Sequence, residues 1–485
     1  MSAIAQLSPT SLWEIFYQMT LRPRPSGHEQ AVIDYVESLC HAHQLTLRKD
    51  TIGNLIISKP ATPGMEERKG IVMQGHLDMV PQKNADSTHD FESDPIQTCI
   101  EDGWVTAVGT TLGADNGIGV AAALAVMTAK DIEHGPLEVL LTIDEEAGMT
   151  GASNLEAGIL QGDILLNLDT EDEGELYVGC AGGIDISALV DMQWQPLEGN
   201  YQAFELAVTG LRGGHSGLDI DKGRGNANKI ANRFLLENYD KLNMKVCQFN
   251  GGTLRNAIPR ESFTQILVPV ENVPAFESAV TQFKEEVTRE YGSVETNLSI
   301  ALKSIDAPSR SYSDETCRKV IHSVAACING VSRMSQEFNG VVETSNNLAI
   351  VKTEGDQVAV KCLTRSLSNS ARDALAAEVA ASFKAVGAAT QLSGDYPGWK
   401  PNPDSKILIT MIEGYQRLYG VKPEVKVIHA GLECGLLSEP YPHWDMISFG
   451  PTIRHAHSPD EKVEIATVEK FWVYLLDSLK HAPLK

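Results

Sequence analysis

Short apolar runs that stop abruptly at charged residues recur along this chain, and the sharpest is 137–149, LEVLLTIDEEAGM. Leu137, Val139, Leu140, Leu141 and Ile143 predict a strand covered on both faces, which halts at Asp144, Glu145 and Glu146. Segments 70–75 (GIVMQG), 163–168 (DILLNL) and 446–449 (MISF) repeat the pattern. They run into His76-Leu77-Asp78, into Asp169 and, a few residues on, into His455-Ala456-His457. Helical spacing marks Leu12, Trp13, Ile15, Phe16 and Met19 as one amphipathic face, and Val32, Val36, Leu39 and Cys40 as another within 29–43. Strands are further expected at 54–58 and 104–108, and an Ala-rich helix at 116–129 whose Gly117 and Gly119 allow a close approach to the sheet.

Strands and helices alternate as far as Asp169, which predicts an α/β fold with a mainly parallel sheet and flanking helices. Beyond Gly182-Gly183 the character changes. An alternating strand at 204–208 leads to a glycine-rich loop over 211–225 and a helix over 226–236. Two antiparallel strands, 348–351 and 357–362, meet at Glu354-Gly355-Asp356 and precede a helix over 370–386. This middle part reads as an inserted α+β lid domain. A helix over 406–419, a strand over 425–429 and a closing helix over 463–479 return to the first pattern. The expected organisation is a catalytic domain of 1–186 and 391–485 with a lid and dimerisation domain of 187–390, because candidate metal ligands stand on both sides of the middle part and none within it. No element is assigned between 237 and 347.

A chain of 485 residues, 42% of them apolar, is long enough for two or three cores. The net charge of −24 argues against nucleic acid or an anionic membrane as the main partner. The start has no basic segment followed by an apolar core, no run approaches membrane-spanning length, and the eight cysteines form no C-x-x-C pair. A cytoplasmic protein with reduced thiols is expected.

The acids at the strand ends supply the chemistry. Adjacent carboxylates repel unless a cation sits among them, so Asp144-Glu145-Glu146 beside His76, Asp115, Asp169 and His457 predicts a metal site. Nitrogen and oxygen ligands without thiolate suit zinc, with cobalt or manganese able to substitute. His76 can ligate, and Asp78, two residues on, can accept its other N–H and fix the tautomer. Asp115, Asp169, Glu146 and His457 complete the set. Five ligands exceed one open zinc site but suit two metals about 3.5–4 Å apart sharing a carboxylate and a water. Glu145, next to a ligand, is the natural general base for that water. Other signals fail. Gly214-His215-Ser216-Gly217 lacks the last glycine of a nucleophile elbow because Leu218 stands there, and His28-Glu29 begins an H-E-x-x-H motif that Val32 does not complete.

In order along the chain, GHLDMV, GTTLGADNGIGVA, DEEAGMTGA, LDTEDEG, GGHSG, HAGLECG and HAHSPDE resemble the dinuclear zinc exopeptidases that include carnosinase, carboxypeptidase G and the bacterial di- and tripeptidases. The resemblance implies two zinc ions per subunit, one held by His76 and Asp169, the other by Glu146 and His457, with Asp115 between them. It implies that Asp78 and Glu145 are the active-site acids, that His215 stabilises the scissile carbonyl, and that Asn256 and Arg365 hold the substrate end. The implied activity is hydrolysis of dipeptides, Xaa-His peptides such as carnosine among them, by a homodimer. In the family the lid histidine often comes from the partner subunit, and the chain leaves open which subunit donates His215. Where relatives often carry a Gly-Thr-Ser-Asp-type loop, this chain has Gly431-Leu432-Glu433-Cys434-Gly435, which favours the di- and tripeptidase branch over aminoacylases. N-acyl amino acid deacylation and tripeptide hydrolysis are the alternative enzyme readings. A catalytically silent metal-binding homologue is the third, and the presence of Glu145 weighs against it.

Overall fold

The computed structural model describes residues 3–84 and 87–485. Its contacts divide it into two compact units: Met1–Gly179 with Trp399–Val427 and Leu432–Lys485, and Cys180–Gly398 with Ile428–Gly431. Boundaries at 186/187 and 390/391 would cut the strands Gly182–Asp191 and Ala389–Tyr396, which pair with each other; the division falls before the first and after the second.

The first unit is built on an eight-stranded sheet whose central four strands are parallel, in the order Leu137–Thr142, Ile71–His76, Ile164–Asn167, Asp445–Ser448. Every residue of Ile71–His76 and Ile164–Asn167 is buried, as expected of central strands covered on both faces. Leu55–Lys59 and Glu175–Cys180 flank the parallel centre antiparallel to it, so the sheet is mixed rather than wholly parallel. The four parallel strands point the same way, and their carboxyl ends carry the acidic and histidine-bearing loops.

Helix Ala114–Thr128 lies against the sheet almost completely buried. Small residues make that approach possible. A Cβ on Gly119 would meet the Leu168 carbonyl at 2.2 Å, and one on Gly75 would meet Asn116 Oδ1 at 2.2 Å. Helix Thr10–Thr20 buries Leu12, Trp13, Ile15, Phe16 and Met19, the face that the spacing predicts. Among the described residues no helix is long and apolar enough to cross a membrane.

The second unit holds a nine-stranded sheet in which Gly182–Asp191, Gln357–Ser366 and Val342–Glu354 are antiparallel neighbours. Ile186, Val190, Leu206, Phe234, Phe276 and Phe383 belong to one apolar core with residues of helices Ala227–Asn238, Val273–Tyr291, Asp314–Ala326 and Asn369–Lys384. The helix Val273–Tyr291 falls in the stretch that has no sequence assignment, although its buried Phe276, Val280, Phe283 and Val287 keep helical spacing.

Candidate active site

His76 is the last residue of its strand and is buried; the turn after it brings Asp78 back beneath the imidazole. Nδ1 of His76 lies 3.4 Å from Asp78 Oδ1. The Asp78 carboxylate also accepts the backbone N–H groups of Glu145 (3.0 Å) and Glu146 (3.1 Å) and the hydroxyl of Ser26 (2.7 Å). Burial opposes its charge, yet these donors and His76 hold its pKa at about 2. Asp78 therefore orients the imidazole and the acidic loop together. Asp144, which opens that loop, has a left-handed backbone (φ 54°), as does His457 (φ 63°).

With Nδ1 of His76 turned toward Asp78, Nε2 faces Asp115 Oδ1 at 3.2 Å and Asp169 Oδ1 at 3.3 Å. On the other side, His457 Nε2 lies 3.3 Å from Asp115 Oδ2 and 2.9 Å from Glu146 Oε2. Each oxygen of Asp115 thus meets a different imidazole. A ring nitrogen aimed at carboxylate oxygens requires a cation between them, either a proton or a metal ion. Burial opposes a proton on His76, but Asp169, Asp115 and Asp78 raise its pKa well above the ordinary histidine value. Contacts to Asp115 and Glu146 push His457 up to about 11. Burial pushes Asp169 up to about 7, and burial, with the charges of Asp169, Glu433 and Glu146, pushes Glu145 well above the carboxylate range. Asp169 Oδ1 is enclosed and makes no hydrogen bond of proper geometry. One ligand atom each from His76, Asp115 and Glu146 can be chosen so that all lie within 4.8 Å of one another. The donor set and its surplus of negative charge fit bound divalent metal ions.

Several residues that hold these groups escape sequence reasoning. Arg24, fully buried, donates to the carbonyls of Leu77 (2.8 Å), Asp78 (2.9 Å) and Gly113, tying the His76 turn to the loop before Asp115. The buried Glu461 accepts the backbone N–H groups of Leu112 (2.7 Å), Gly113 (2.9 Å), Ala114 (2.8 Å) and Asp115 (3.2 Å). Glu461 closes the HAHSPDE motif, so a signal for it exists; Arg24 stands in no motif. Replacing Glu461 by Leu leaves those donors buried without an acceptor. We expect it to destabilise the protein by at least about 3 kcal/mol, read from urea unfolding, since each buried unsatisfied donor costs about 1–3 kcal/mol. A loss below about 1 kcal/mol would contradict this account.

The second unit brings His215, Asn256 and Arg365 together. His215 Nδ1 accepts the backbone N–H groups of Gly217 (3.2 Å) and Leu218 (3.1 Å), so the neutral ring carries its proton on Nε2. Burial and the neighbouring Arg365 lower the His215 pKa to about 4. Arg365 Nη2 lies 3.4 Å from that Nε2, while Nε donates to Ser216 Oγ (3.2 Å) and Nη1 to the Tyr396 hydroxyl (2.7 Å). Arg365 is buried and forms no ion pair among the described residues. Two donors converging with no acceptor between them suit an anionic group. The exposed Asn256 accepts the Ser216 N–H at its carbonyl (2.8 Å).

A family model described as Peptidase family M20/M25/M40 matches residues 72–481. The chain belongs to this peptidase family. Across all 485 residues it is 46% identical to the cytosol non-specific dipeptidase of Escherichia coli, covering 100% of both chains. It superposes on the crystal structure of aminoacylhistidine dipeptidase from Vibrio alginolyticus with a TM-score of 0.95 at 49% identity, covering 100% of this chain and 99% of that one. The aminopeptidase PepT of Bacillus cereus shares the fold, with a TM-score of 0.58 at 16% identity over 98% of this chain and 99% of that one. Membership of this family makes the protein a hydrolase of peptide bonds and implies bound metal ions.

Proposed function

We infer that the protein is a dinuclear zinc dipeptidase that hydrolyses dipeptides, Xaa-His peptides such as carnosine included. The observation that carries the reading is the pair of imidazoles, contributed by residues 76 and 457, that face opposite oxygens of Asp115. His76 and Asp169 would hold one ion, Glu146 and His457 the other, and Asp115 both. Cobalt or manganese would serve the same donors. When bound, such ions polarise a carbonyl oxygen and make a water acidic enough to attack near neutral pH.

The chain's own groups do the rest. Glu145 takes the proton of the attacking water as oxygen joins the carbonyl carbon, then delivers it to the amine as the C–N bond breaks. Asp78 keeps the Glu145 backbone in place through its carboxylate and the His76 ring through its backbone carbonyl, 3.2 Å from Nδ1, and its carboxylate. In the second unit, which we assign as lid and dimerisation domain, neutral His215 offers an N–H to the developing oxyanion. Arg365 and Asn256 hold the substrate carboxylate. The names of the two full-length relatives support dipeptides as substrates and the cytosol as the compartment. We further propose a homodimer.

Turnover of β-alanyl-histidine, its N-acetyl derivative and a tripeptide tests the reading. The free dipeptide is expected to be cleaved at least about tenfold faster than either competitor, one missing or misplaced contact being worth about 1.4 kcal/mol or more. Chelation should abolish the activity and added zinc restore it, on a particle sedimenting as two 52.7 kDa chains. Faster cleavage of the acetylated compound would make the enzyme a deacylase instead.

A further inference from the structure

Immediately below the strand ends, polar side chains run across the four parallel strands where apolar ones would be expected. Ser448 Oγ donates to Asn167 Oδ1, Asn167 Nδ2 donates to Gln74 Oε1 (2.6 Å), and Gln74 Nε2 donates to Glu433 Oε2 (2.6 Å). Thr142 Oγ1 donates to the same Glu433 oxygen (2.8 Å). All five residues are buried, with Glu433 and Asn167 wholly enclosed. Gln74, Asn167 and Ser448 are direct register partners across adjacent strands.

The array has one direction. Every link donates toward Glu433, whose Oε2 accepts from both Gln74 and Thr142, and none returns. The acceptor at one end thereby fixes the orientation of both amides, which could otherwise flip. Three of the four strands it joins lead at once into a group of the candidate site: Gln74 stands two residues before His76, Thr142 three before Glu145, and Asn167 two before Asp169. Nothing in the proposed reaction uses Glu433 itself.

We propose that Glu433 is a positioning residue, the buried carboxylate that terminates this array and holds the ends bearing His76, Glu145–Glu146 and Asp169 at the spacing the metal ions require. The proposal rests on the metal assignment above. Its second oxygen, Oε1, is enclosed without a hydrogen-bond partner, so the carboxylate is committed to the array through Oε2.

The test compares Glu433→Ala, Glu433→Gln, Thr142→Val and His76→Ala in the full chain. Metal affinity is read by competition with a chromogenic chelator, and kcat and KM are measured separately. Glu433→Ala is expected to weaken metal binding about 10–100-fold, the range for loss of a group that orients ligands, and to lower kcat with KM within about twofold. Glu433→Gln keeps an acceptor for Gln74 and Thr142 and should recover most of that affinity. Thr142→Val, which removes one donor at constant volume, should fall between the parent and Glu433→Ala and decides the matter if the alanine variant does not fold. Parental metal affinity and kcat in folded Glu433→Ala, or in Thr142→Val should that be the only folded variant, would overturn the proposal. If His76→Ala loses metal while the Glu433 variants keep it, this inference alone fails; if His76→Ala keeps both ions, the metal assignment fails first.

Discussion

Glu145→Gln is expected to lower kcat by about 10²–10⁴-fold, the usual contribution of a positioned general base, while leaving metal content and KM close to those of the parent. The substitution is nearly isosteric and removes only the capacity to take a proton. The backbone of residue 145 stays anchored, because its N–H donates to Asp78 Oδ1 at 3.0 Å whatever the side chain. Among the described residues Glu145 forms no ion pair with either imidazole: the contacts at 2.9–3.3 Å belong to Asp115, Glu146 and Asp169. Steady-state kinetics with metal analysis on the same preparation checks both halves. A kcat within tenfold of the parent would remove Glu145 from the chemistry.

Asp115→Asn should do more damage by a different route. Both oxygens of Asp115 are engaged, each with a different histidine, and an amide can present only one acceptor. Burial opposes charge on Asp115, but the hydrogen bonds of His457 and His76 hold its carboxyl well below the usual range, so it is an anion at any working pH. Losing that anion should weaken both metal positions together, by more than the roughly 10–100-fold that loss of an outer partner costs. Dialysis against a metal-free buffer should then leave fewer than two ions per chain and no measurable turnover, with no recovery on adding zinc at concentrations that saturate the parent. Retention of two ions would show that Asp115 does not bridge them.

Local pattern was enough for much of this molecule. The apolar runs at 70–75, 137–143 and 163–168 are strands, and the helix over 406–419 is Lys406–Tyr419 to the residue, because Ser405 caps it by accepting the Leu408 N–H and left-handed Gly420 ends it. The candidate ligands were legible for the same reason. A buried strand that stops at unscreened acids is costly without a cation, and that cost is visible in sequence. Tertiary structure alone decided what holds those ligands. Arg24, Glu433 and Glu461 act on partners 53 to 359 positions away, at distances no periodic pattern spans. A single buried charge leaves no periodic trace, since its partners are backbone amides, carbonyls and lone side chains contributed by other elements. The unit boundary is tertiary for a related reason: Gly182–Asp191 and Ala389–Tyr396 read as ordinary strands wherever a cut is placed, and only their pairing with each other puts both on the same side of it.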